Sequence, residues 1–119
     1  MLSVFFSFFF RLLIGHAFAD FAFQSDSMAK GKNRHSDPSK LPKNQKYTPY
    51  WPYWLAAHAL IHGGIVVIST QSIFFGILES MLHFFIDFMK CEGVISPHTD
   101  QLLHILSKFI YCLILFRIF

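Results

Sequence analysis

The stretch Gly15–Gln24, GHAFADFAFQ, closes an apolar run that begins at Leu2, and the fold turns on how it is read. Ala17-Phe18-Ala19 ahead of Asp20 has the spelling of a signal-peptidase site, so the run is either a leader that is removed or a membrane span that is kept. Met1 to Phe10 contains no Lys or Arg, and Arg11 interrupts what would be the leader's apolar core. A secretory leader carries the opposite charge pattern. The stretch also sets His16, Asp20 and Gln24 four residues apart, on one helical face. It reads as the end of a retained first span with that face turned inward.

Hydrophobic residues make up 54% of the 119, sixteen of them Phe, and charged residues 14%. A soluble core of this length cannot hide that much apolar surface, so the bilayer is the natural solvent. The fold class that follows is all-α: a polytopic membrane protein, one domain over residues 1–119, with four transmembrane helices in a compact bundle. The spans fall at about 2–23, 54–70, 73–89 and 102–119. Roughly 20 residues cross about 30 Å of hydrocarbon, so the last three are short and rely on bundling, local thinning and interfacial anchors. The aromatic cluster YTPYWPYW, Tyr47–Trp54, is such an anchor.

Residues 25–53 form the main loop. Pro38, Pro42, Pro49 and Pro52 exclude a continuous helix, and the segment reads as polar and partly disordered. Lys30, Lys32, Arg34, Lys40, Lys43 and Lys46 all lie in it, which by the positive-inside rule keeps the loop cytoplasmic and both termini outside. As a topology signal this basic loop needs no nucleic-acid partner. Arg11 lies about ten residues into the first span and either snorkels outward or faces the bundle interior. Cys91 and Cys112 match no zinc spacing and are read as free thiols.

The polar residues within the spans repeat one pattern: His16-x-x-x-Asp20, His58-x-x-x-His62, His83-x-x-x-Asp87 and Asp100-x-x-x-His104. Residues four apart share a helix face about 6 Å apart along the axis. His and Asp together number twelve in 119 residues, so one chosen partner position is filled by chance about a tenth of the time. Four pairs on four helices exceed that. With alternating helix direction all four also fall toward the basic-loop side, where they converge on one site.

Eight such ligands suffice for one or two divalent ions, and mixed imidazole and carboxylate donors suit Zn, Mn, Fe or Ni better than Ca or Mg. A metal would offset the cost of burying carboxylates in lipid. Glu79, one turn from His83, is a candidate general base or a support for the metal ligands; Lys90, with Lys108, is a candidate for holding an anionic, lipid-linked substrate. Three functional classes stay open. The pairs could form a metal site for hydrolysis of a phosphoester or other lipid-linked group. They could be structural, hydrogen-bonded across helices at about 1 kcal/mol each, with the basic loop binding a partner. They could line an ion or proton pathway. Bis-histidine haem ligation through His58 or His62 fits less well beside three aspartates. His35 and His98 fall in loops and read as solvated, and the short spans make homo-oligomers plausible.

In order, GHAFADFAFQSDSMAKGK (Gly15–Lys32), HALIHG (His58–Gly63), HFFIDFMK (His83–Lys90) and DQLLHIL (Asp100–Leu106) resemble the motif series of a family of small bacterial and phage inner-membrane proteins known as a domain of unknown function, DUF3307. The resemblance covers most of the helical chain. It implies a multi-pass protein of the bacterial inner membrane and supplies no reaction.

Overall fold

Ser25, Ser72 and Ser96 each stand immediately before a helix and accept a hydrogen bond from the backbone N–H three residues on, at 3.1, 3.4 and 3.1 Å. These caps satisfy first-turn donors that have no intrahelical partner, and so fix where three of the helices begin. The computed structural model describes residues 1–36 and 50–117. Five α-helices run through them: α1 (Leu2–Ala17), α2 (Asp26–Gly31), α3 (Trp51–Thr70), α4 (Ile73–Cys91) and α5 (Pro97–Phe116). No strand occurs among the described residues. The expected disorder around Pro38, Pro42 and Pro49, and the lysines Lys40, Lys43 and Lys46, lie outside them.

Two helices start earlier than the sequence predicts. α3 begins at Trp51 rather than 54 and α5 at Pro97 rather than 102. Both early turns contain a proline, Pro97 and Pro52, the second of which the sequence reading takes as a helix breaker. In the first turn its missing N–H has no partner to lose, and its fixed φ suits the helix. A second departure is α2, a two-turn helix inside the stretch expected to be loop. At the other end of the first span, α1 widens into a π-helical turn over Phe18–Ala22, closed by the Phe23 N–H donating to the Phe18 carbonyl at 2.8 Å. Such turns recur at functional sites because the extra residue re-aims side chains. Gln24 donates to the Asp20 carbonyl at 3.0 Å, so it caps this turn and its amide nitrogen is spent on backbone.

Three helical segments are long and apolar enough to cross a membrane: Leu2–Ala22, Trp51–Thr70 and Pro97–Phe116. α4 has 19 residues, but Glu79, Asp87 and Lys90 lie along it. The four long helices close a ring in which α1 packs on α3 and α5, and α4 on α3 and α5. The α3–α4 hairpin is the closest pair. Gln71, at φ 56°, turns the chain between them, and Gly63 faces Gly76 where the backbones meet: a Cβ on Gly63 would lie 1.9 Å from Ser80 Oγ and 2.5 Å from the Gly76 carbonyl oxygen. A Cβ on the adjacent Gly64 would meet nothing within 4 Å.

The interior is divided along its length. Phe5, Leu12, Val66, Phe75, Tyr111 and Cys112 form an apolar cluster at the end holding the start of α1 and the end of α5. Phe5 meets Phe109 and Phe116 edge to face at 5.6 and 5.8 Å. The other end is polar and is covered by the strap Ser25–Ser36, which includes α2. Gly31 lies against the Trp54 indole, and a Cβ there would come within 2.6 Å of it. Arg34 Nε and Nη2 reach the two oxygens of Glu92 at 2.6 and 2.7 Å, and His35 adds a contact to the same carboxylate at 3.2 Å. His35 is thus engaged with Glu92, while His98 is exposed as expected.

Two outcomes test this packing. Gly63→Ala should destabilise the bundle by about 1–3 kcal/mol through overpacking, while Gly64→Ala stays within about 1 kcal/mol of wild type; unfolding in mixed micelles compares them. The Arg34 guanidinium holds the Glu92 carboxyl below its ordinary value of 4.5. The anchoring it supplies is therefore complete above about pH 4.5 and fades as pH falls through the lowered value. Glu92→Gln should raise amide exchange in α2 at neutral pH, and acidification should produce the same rise in wild type.

Candidate metal centre

Asp20 stands in the π-helical turn at the end of the first span, its carboxylate pointing into the ring of helices. His62 Nε2 of α3 lies 2.9 Å from Oδ1, His58 Nε2, one turn earlier, 3.2 Å, and His83 Nε2 of α4 3.7 Å. Its other oxygen meets His16 Nε2 at 3.3 Å and accepts from Gln101 Nε2 of α5 at 2.8 Å. One carboxylate thus touches side chains from α1, α3, α4 and α5.

A second carboxylate, Asp87, lies beside it. Its Oδ2 is 3.5 Å from His58 Nε2 and 3.7 Å from His83 Nε2, and Lys32 Nζ donates to it at 2.5 Å. Oδ1 accepts from Lys90 Nζ at 2.9 Å, with His104 Nε2 3.7 Å away. Lys90 also donates to Asp100 at 3.1 Å, and Asp100 is 3.4 Å from His104 Nε2. Deeper in the bundle Glu79 accepts from Tyr111 Oη at 2.9 Å and from Lys108 Nζ, and its Oε1 lies 3.5 Å from His83 Nδ1.

All eight residues of the four sequence pairs are buried in this one cluster, and so is Glu79. Ligating atoms of Asp20, His58, His62 and His83 lie within 4.8 Å of one another; so do those of Glu79, His83 and His104, and those of Asp87, Asp100 and His104. His16 belongs to none of these groups. It flanks them, with Gln101 Oε1 3.2 Å from its Nε2. Lys90 is at the rim rather than in the centre, a quarter exposed.

The donor set fits a divalent metal. Bonds of about 2.0–2.1 Å in a tetrahedron put neighbouring ligand atoms about 3.3 Å apart, and the three Asp20–imidazole distances of 2.9, 3.2 and 3.7 Å bracket that value. Both ring nitrogens of His58 and His83, with His104 Nε2 and Asp100 Oδ1, are buried and make no aligned hydrogen bond among the described residues. Leaving such atoms unsatisfied costs about 1–3 kcal/mol each, which a shared cation would offset. His62, His83 and His104 also stack, at centroid distances of 3.5 and 4.1 Å, and stacked rings that are all protonated would repel. Four carboxylate side chains (Asp20, Glu79, Asp87, Asp100) and three lysines (Lys32, Lys90, Lys108) share the cluster with the imidazoles.

Four members were not singled out as site residues from the sequence. Lys32 was counted as a loop charge, yet it is 4% exposed and delivered to Asp87 by the strap. Gln101 gave no signal beyond following Asp100. Ser107, three residues past His104, and Tyr111, four further on, lie on the buried face of α5 that holds His104, and Lys108 shares that face. Continuing the helical spacing from His104 through Lys108 to Tyr111 would have found them.

No curated protein and no solved structure matches the chain. The family described as "Protein of unknown function (DUF3307)" is matched over residues 8–118, from the first helix through the last, and the chain belongs to that family.

Proposed function

We propose that the chain is a four-span membrane protein whose core binds a divalent metal through Asp20, His58, His62 and His83, for hydrolysis of an anionic phosphoester carried on a lipid. The observation that carries the reading is the convergence of three imidazoles on one oxygen of Asp20 at tetrahedral-edge distances. The crossing of α4 as the fourth span is supported by the sorting of its surface: Ile73, Phe74, Ile77, Met81, Leu82 and Phe85 are exposed, while Glu79, His83 and Asp87 are buried. Its ionisable groups turn to the bundle and its apolar ones outward, as a lipid-facing helix requires. The family resemblance supports a bacterial inner membrane, and the charge of the 25–53 loop supports a cytoplasmic position for the strap end, with both termini outside.

Within this reading each residue has a definite task. His58, His62 and His83 supply nitrogen donors, and Asp20 supplies the anionic donor. Bound there, the metal supplies a polarised water and a Lewis acid for a phosphoryl oxygen. Asp87, Asp100 and His104 form a neighbouring donor group able to take a second ion. Glu79 has both oxygens engaged by Lys108 and Tyr111, so the reading makes it a positioning residue that turns His83 Nδ1 away from the metal and Nε2 toward it. The ammonium group of Lys90 stands at the rim, where an anionic substrate would enter, with Lys32 buried beside it on Asp87.

Metal analysis of purified wild type should find at least one Zn, Mn, Fe or Ni per chain. His62→Ala with His83→Ala should remove it, along with any metal-dependent release of phosphate from lipid-linked phosphoesters. A metal-free wild type after purification without chelators would end this reading, and metal without turnover would confine the site to a non-hydrolytic role. Glu79→Gln is expected to weaken metal affinity by about 10–100-fold, the usual cost of losing a ligand's supporting carboxylate, with His98→Ala unchanged; competition with a chromogenic chelator measures both.

A further inference from the structure

Arg11 takes no part in the metal centre, and its place on α1 is physically demanding. It lies nine residues past Leu2, about 14 Å along a 21-residue span, at a depth where a guanidinium in lipid needs compensation. The side chain is exposed on the outer surface of α1 and does not enter the bundle. No described carboxylate pairs with it: Asp20, Glu79, Asp87, Glu92 and Asp100 are all engaged at the strap end or beneath it, and Asp26 sits beside Lys30.

The residues around Arg11 are built for an anion. Ser3, Ser7 and Arg11 recur at four-residue spacing on one face, and with Val4 and Phe8 they line a notch of about 350 Å³. A long side chain on a helix leans toward the helix N-terminus, which brings the guanidinium down toward the Ser7 and Ser3 hydroxyls. Among the described residues, the charged side chains at this end are basic. Phe8 meets Phe116 at 5.6 Å, placing exposed Arg117 at the same end of the bundle.

We propose that the Ser3–Ser7–Arg11 notch binds the phosphate of an anionic phospholipid. The guanidinium fork matches two non-bridging phosphate oxygens, and two hydroxyls add donors on the same side. Val4 and Phe8 offer apolar surface to the upper acyl chain, as a lipid's geometry demands. A net-anionic headgroup is favoured over a zwitterionic one because Arg117 would repel a terminal ammonium. A second copy of α1 is disfavoured as occupant, since self-pairing along this face would bring two Arg11 side chains together in an apolar medium.

The test uses the full chain with Lys40, Lys43 and Lys46 changed to Gln, so that loop lysines do not recruit lipid. Native mass spectrometry from micelles holding equal phosphatidylglycerol and phosphatidylcholine should show one phosphatidylglycerol retained per chain. Arg11→Gln should weaken retention about tenfold or more, Ser3→Ala with Ser7→Ala should weaken it to a smaller extent, and Arg11→Lys should keep part of it. Helical circular dichroism and gel filtration establish that each variant is folded, and the serine pair serves if Arg11→Gln is not. Equal retention of the two lipids by the parent chain would overturn the proposal. So would retention undiminished in folded Arg11→Gln, or Arg11-dependent co-purification of a protein in place of lipid.

Discussion

Side chains from α1, α3, α4 and α5 all reach the Asp20 carboxylate. A buried carboxylate in an apolar surround is costly unless its lone pairs are met, so each helix must present a partner at the right height. That requirement fixes the register of the bundle. A shift of one residue along α3 would move His58 and His62 about 100° around the helix and leave Asp20 without its closest contact. Apolar packing alone, in a medium as apolar as the side chains themselves, discriminates poorly between registers. The polar cluster sets which residues face one another, and the Gly63–Gly76 contact sets how near α3 and α4 can come.

The strap continues the same logic at the edge of the cluster. Lys32 reaches Asp87 because Gly31 leaves space for the Trp54 indole and because Arg34 grips Glu92 just past the end of α4. An ammonium at this position neutralises a carboxylate that would otherwise be shared only by imidazoles and Lys90. It also holds Asp87 away from full commitment to any other cation. The anchor that holds the strap in place, Arg34–Glu92, lies outside the cluster.

Much of this was legible in the chain, and what was legible had a period. The four His/Asp pairs repeat at helical spacing, alternate in direction with the helices and fall at one depth, so their convergence follows from geometry that sequence displays. Long apolar runs gave the number of long helices for the same reason. Features set by a single contact were not legible. Lys32 is buried because of Trp54 and Arg34, a tertiary circumstance with no local pattern. The π-helical turn that carries Asp20 has no residue signature, and Gln101 is told from its neighbours only by the partner it meets. The two early helix starts are a different kind of miss. Proline breaks a helix from inside, which is how the sequence reading takes Pro52, but at the first turn, where Pro52 and Pro97 stand, the same residue is favourable.

The division of the interior bears on which functional class the cluster can serve. From the strap, polar groups follow one another inward through Lys32, Asp87, His83, Glu79 and Tyr111. There the series stops. Beyond Tyr111 the interior is Phe5, Phe75, Leu12 and Cys112, with Phe109 and Phe116 packed against them, and Phe75 lies 5.3 Å from the Tyr111 ring. A route for ions or protons needs polar groups or water along its full length, and phenyl rings packed edge to face offer neither. Among the described residues the site is polar, rich in ligand-type atoms and bounded at its far end by an apolar cluster. That arrangement fits the proposed metal centre better than a pathway from one face of the membrane to the other.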